Sequence, residues 1–126
     1  MTIVAETIED LSSADSLDIE TLINCAPKQW LNLNGIGTIA ARDSFNSASL
    51  TDLGLGSYQH STINAFANAG YAFSGAAGGT SLAITFANYD VTAPRTATVS
   101  AFYALDEAAT ALDAANVDSM GIGELA

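Results

Sequence analysis

From Lys28 onward the chain alternates with a period of two. Trp30, Asn32 and Asn34 interleave with Leu31 and Leu33, the pattern of a half-buried strand. Asn34-Gly35 follows, and both residues tolerate the positive φ of a type I′ turn, so a hairpin is predicted. Its second strand runs over residues 36–41, with Gly37 as a bulge or a point of close backbone approach. A third run covers 45–51, and the glycine-punctuated stretch 52–57 turns the chain into a strand over 58–63. Phe66, Tyr71 and Phe73 lie on short strands separated by a kink at Asn68-Ala69-Gly70, and 75–79 predicts a flexible tip. Residues 80–89 alternate Leu82, Ile84 and Phe86 with Ser81, Ala83 and Thr85. After a loop over 90–94, residues 95–105 set Val99, Ala101 and Tyr103 against Thr98, Ser100 and Phe102. The Ala-rich stretch 107–115 predicts one or two helical turns, and 117–125 a closing strand. Short strands with Gly-rich turns make the fold mainly β: an antiparallel β-sandwich or small, jelly-roll-like barrel.

Before Lys28 the pattern differs. Residues 1–27 read as an N-terminal acidic arm, and 28–126 as the β-sandwich domain. In the arm, Ile3, Val4, Ile8 and Leu11 are separated by acids and Ser. Ser16 is placed to cap a short helix over 17–24, with Ile19, Leu22 and Ile23 on one face. Isolated helices shorter than about 12–15 residues are marginal. The arm is therefore expected to pack on its own body or on a neighbour.

Charge narrows the function. Three Lys and Arg stand against fourteen Asp and Glu, a net charge of −11. No basic stripe is available to neutralise a phosphate backbone or to hold an anionic membrane, so neither partner is expected. The acids gather at the two ends, with Glu6, Glu9, Asp10, Asp15, Asp18 and Glu20 at one and Asp106, Glu107, Asp113, Asp118 and Glu124 at the other. Between them Asp43, Asp52 and Asp90 are balanced by Lys28, Arg42 and Arg95. Hydrophobic residues make up 49% of the chain, enough for a core, but many are Ala and contribute little area each, which hints at oligomerisation. The sequence has no membrane-length apolar run and does not start like a signal peptide. It reads as a chain made in a cytoplasm and soluble until incorporated.

Catalysis needs converging groups, and few are offered. His60 is the single histidine, which excludes a multi-histidine metal site, and no nucleophile-elbow pattern selects a serine for it. His60 reads as a surface or sheet histidine, and Cys25, the single cysteine, as a buried or semi-buried inert thiol. Asn34-Gly35-Ile36-Gly37 and Leu53-Gly54-Leu55-Gly56 lack the third glycine of a dinucleotide site and the lysine of a P-loop, so both read as turns. Asp52 and Asp90 fall in loops without the six or more oxygens that calcium needs. Trp30 is assigned to core packing ahead of glycan stacking. No catalytic, cofactor-binding or metal residue is assigned, no cofactor is expected, and the chain does not read as an enzyme.

The stretch 29–75 carries a familiar series of signals: Trp30, Asn34-Gly35, Gly37-Thr38-Ile39, Arg42-Asp43-Ser44-Phe45-Asn46, Ser49-Leu50-Thr51-Asp52, a Gly54 to Tyr58 hairpin and Ala67-Asn68 before Tyr71. It resembles a recurrent β-domain of phage tail-fibre-like and other virion structural proteins. Ala111-Leu112-Asp113 ahead of Val117 is similar to the end of that domain. The resemblance implies a non-enzymatic structural protein on the surface of a bacteriophage virion, either a tail-fibre-like domain or a capsid decoration (cement) protein. Implied with it are assembly in the host bacterial cytoplasm, a homotrimer, and contacts with capsid or tail subunits. A receptor- or glycan-binding module at a fibre tip is the alternative.

Overall fold

A computed structural model describes residues 7–9, 16–79, 85–87 and 94–126, with side chains described for 19–79 and 94–126. The chain is mainly β. Strands β1 (Thr7–Glu9) and β2 (Ser16–Asp18) pair as a small antiparallel ribbon and lead into helix α1 (Ile19–Cys25). The remaining strands are β3 (Gln29–Asn34), β4 (Ala40–Phe45), β5 (Ser47–Gly54), β6 (Ser57–Thr62), β7 (Ala72–Gly78), β8 (Thr85–Ala87), β9 (Val99–Leu105) and β10 (Asn116–Ile122). They form two four-stranded antiparallel sheets, ordered β4-β3-β10-β7 and β5-β6-β9-β8, with no closed barrel.

The period-two pattern decides which residues fill the space between the sheets. Leu31, Leu33, Val117 and Phe73 from the first sheet meet Tyr58, Phe102 and Ala104 from the second in one buried cluster, to which Phe66, Tyr71 and Ala114 belong. Phe66 and Tyr71 stack with ring centroids 3.9 Å apart, and Phe73 meets Phe102 at 5.9 Å. Such pairs contribute about 0.5–1.5 kcal/mol beyond their burial. Aromatic volume therefore supplies what the many alanines cannot.

Two knots join the sheets. Asn46, in the left-handed region at φ 56°, turns the chain from β4 into β5 and so from one sheet to the other. Its side-chain amide donates to Lys28 O (2.9 Å) and Asn64 O (3.0 Å), and its carbonyl accepts from Asn64 N (2.7 Å). Few residues other than Gly and Asn tolerate this backbone, and Asn alone adds the stitches. Asn46→Ala is expected to cost about 2–4 kcal/mol, since it loses three buried bonds and strains the turn. Asn46→Gly keeps the backbone and should fall between wild type and Asn46→Ala in urea denaturation; an equal loss would refute the division.

The second knot closes the opposite end. Gly35 N donates to Ala114 O (3.0 Å), and the Tyr58 hydroxyl donates to Gly35 O (3.1 Å) with Asp113 Oδ1 at 3.4 Å. Gly56 N donates to Asp113 Oδ1 (2.8 Å), and Gly56 O accepts from Ala104 N (2.8 Å). Burial, reinforced by Asp113, pushes the Tyr58 hydroxyl up to about 12, so it remains a donor throughout the working pH range.

Several local expectations change in the structure. Gly35 is drawn into the second knot, so Asn34-Gly35 makes no two-residue turn; β4 begins only at Ala40 and the positive φ falls on Gly37. The tight hairpin lies instead at Leu55-Gly56, between paired Gly54 and Ser57. Residues 75–78 form no tip but belong to β7 and pair in register with residues 116–119 of β10. The stretch 107–115 is not helical. The Asp106 carboxylate accepts from Ala108 N (2.9 Å) and Thr110 N (2.8 Å), and this local turn outcompetes a helix. Helix α1 starts two residues later than predicted because Ser16–Asp18 pairs with β1. The alternation predicted over 80–89 is described only at Thr85–Ala87, and the loop over 90–94 lies outside the described residues except for Pro94.

Candidate functional site

The outward face of the first sheet is built by the same alternation that fills the core. With Leu31 and Leu33 buried, Trp30, Asn32 and Asn34 must point away from the other sheet. The register then sets Phe45 and Met120 on either side of Trp30, with Ser74 beyond Met120. One apolar row crosses β4, β3 and β10, and its members remain 54% (Phe45), 38% (Trp30) and 43% (Met120) exposed. The next row along the strands reads Asp43, Asn32, Asp118, Ala76. Asn32 Nδ2 donates to Asp118 Oδ1, which holds that carboxylate beside the row.

Beyond Met120 the face drops. The exposed residues of β7 there are Ser74 and Ala76, and a depression of about 250 Å³ is lined by Ser74, Gly75, Ala76, Asp118, Ser119 and Met120. The whole face thus carries a raised apolar ridge, a shallow trough and two carboxylates. Lys28 Nζ donates to Ile23 O, and Arg42 donates to Leu33 O (3.1 Å), Asn34 Oδ1 (3.2 Å) and Ala115 O (2.5 Å). Both cations nearest the ridge in sequence are therefore engaged at its margins.

The residues considered for chemistry are kept apart. His60 is wholly buried between the sheets, paired in register with Leu50 and Ser100. Neither of its ring nitrogens has a hydrogen-bond partner among the described residues, and burial lowers its pKa to about 4. It is a sheet histidine, as expected, but one without a surface. Cys25 lies exposed on α1, against the expectation of a buried thiol, because that helix buries none of its residues. An exposed Cys25 and an enclosed His60 make no dyad. Asp52 sits in β5, where its carboxylate accepts from Gly54 N (2.9 Å); Asp90 lies outside the described residues. Among the described residues no group of three or more His, Cys, Asp or Glu is arranged to hold a metal ion. The two Gly-x-Gly strings straddle strand ends: Asn34 closes β3 and Leu53-Gly54 closes β5, and the chain turns at 36–38 and at Leu55-Gly56.

Trp30 is the main correction. It was expected in the core, yet it centres the outward ridge. The signal was available, since Trp30 has the opposite parity to Leu31 and Leu33. Phe45 and Met120 had no such signal: Met120 meets Trp30 through a pairing of strands distant in sequence, and Phe45 through a β3-β4 pairing whose register shifts at a bulge. Comparison with protein-family models, curated proteins and solved structures found no match. No helix among the described residues is long and apolar enough to cross a membrane.

Proposed function

We propose that this protein is a non-enzymatic structural component of a bacteriophage virion surface. In this reading an arm (1–27) anchors a sandwich body (28–126) to neighbouring capsid or tail subunits, and the body assembles as a homotrimer. The observation that carries it is α1. This helix has no buried residue and leaves Leu22 41% and Ile23 52% exposed. A seven-residue helix with uncovered apolar side chains gains little by itself, and burying them against another subunit supplies what is missing. The resemblance of 29–75 to virion β-domains supports the same reading.

Deleting residues 1–27 is expected to leave a body with an unchanged β-type circular dichroism spectrum that no longer joins particles. Labelled full-length protein should in turn decorate intact particles at heads or at tails. Undiminished incorporation of the truncated chain would refute the anchoring role.

A further inference from the structure

The geometry points to the outward face of the β4-β3-β10-β7 sheet as a binding site for a neutral oligosaccharide. This inference does not depend on the anchoring role of the arm. Three features meet there. The Phe45–Trp30–Met120 row offers an exposed apolar strip about 10 Å across three strands, chemically suited to the C–H face of a pyranose ring. Asp118 and Asp43 supply carboxyl oxygens as acceptors for sugar hydroxyls in the adjacent row, and Asn32 supplies an amide between them. The trough between Met120 and β7 gives a second ring somewhere to sit beside the ridge.

Charge and size select this occupant over others. The two outward rows carry the carboxylates Asp43 and Asp118 and no cation, so an anionic glycan or a nucleic acid meets repulsion there. A second copy of the same face would bring Asp43 and Asp118 against their equivalents, in a chain of net charge −11. The two rows on four strands cover roughly 260 Å², well below the ~800 Å² per partner of a stable protein interface. A saccharide needs no such area. Its hydroxyls complement carboxylate and amide, and its ring faces complement the aromatic row.

Trp30 is the sole tryptophan, so its fluorescence reports the site directly. The full chain is titrated with cellohexaose, chitohexaose and mannohexaose, with a hyaluronan hexasaccharide as the anionic counterpart. A saturable shift of Trp30 emission is expected with at least one neutral sugar and none with hyaluronan. Asp118→Ala and Phe45→Ala, which keep the reporter, should weaken binding severalfold. Trp30→Ala, followed by calorimetry, should weaken it by roughly tenfold or more. Absence of any shift up to millimolar sugar would overturn the proposal, as would binding that survives all three substitutions. Reversible self-association lost in Trp30→Ala would overturn it in favour of a second copy. Because incorporation into particles is measured separately on the arm deletion, either idea can fail without the other.

Discussion

Replacing Gly56 with alanine is expected to cost about 3–5 kcal/mol, a large share of the stability of a domain this size. Gly56 has φ +63°, a region in which an L side chain costs about 1–2 kcal/mol. A Cβ added there would lie 2.5 Å from Leu112 N, 2.6 Å from Leu112 O and 2.7 Å from Ala104 O. These are backbone atoms and cannot rotate away. They are also tied down, since Ala104 N donates to Gly56 O and Leu112 N to Ala104 O. The Leu55-Gly56 turn, β9 and the 112–114 crossing would all have to shift together. Gly37 is the control: its φ is +69°, but nothing lies within 4 Å of the added Cβ. Gly37→Ala should therefore cost only the backbone strain, about 1–2 kcal/mol. Urea midpoints that drop equally for the two variants would show that contact plays no part.

The second large effect is acid sensitivity centred on His60. Its pKa falls from 6.5 to about 4 in the folded chain because burial penalises the charged ring. The unfolded chain therefore binds a proton first. The stability is complete above pH 6.5 and drains away as pH falls toward 4. The loss attributable to this one ring is about 2 kcal/mol between pH 7.5 and 5, and about 3 kcal/mol at pH 4. Few exposed carboxylates titrate above pH 5, so that upper interval isolates the histidine. His60→Met fills the site with an apolar side chain and leaves no unpartnered ring nitrogen. It should match or exceed wild-type stability at pH 7.5 and show a nearly flat response down to pH 5. A variant that loses stability in parallel with wild type over that range would place the acid sensitivity elsewhere.

Much of the architecture was legible because period two is unambiguous where large and polar residues alternate. Gln29 to Asn34, Ser57 to Thr62 and Val99 to Leu105 all emerge as strands near the predicted places. Predictions failed where a long-range contact overrode a local preference. Asn34-Gly35 has turn chemistry, but Tyr58 and Ala114 claim the Gly35 backbone. The alanines after Asp106 have helix propensity, but a carboxylate takes the amides the helix would need. Residues 75–78 look like a tip because they lack bulk, but their backbone pairs with β10 residue for residue. The candidate face was half legible. Parity alone turns Trp30 outward, whereas only the fold brings Phe45, Met120 and Asp118 to it.

The position of β10 has a consequence for how the molecule comes into being. This segment lies between β3, made nearly 90 residues earlier, and β7, so it joins the β4-β3 pair to the last strand of the sheet. Until residue 122 has left the ribosome, Leu31, Leu33 and Phe73 have no finished layer to belong to. Nascent chains must hold those strand edges unsatisfied until β10 is made, so completion of this sheet waits on a long-range pairing and is slow. A chain halted before Asn116 leaves the β4-β3 pair and a lone β7 with free edges open to other copies, and such fragments should aggregate rather than persist as smaller folded bodies.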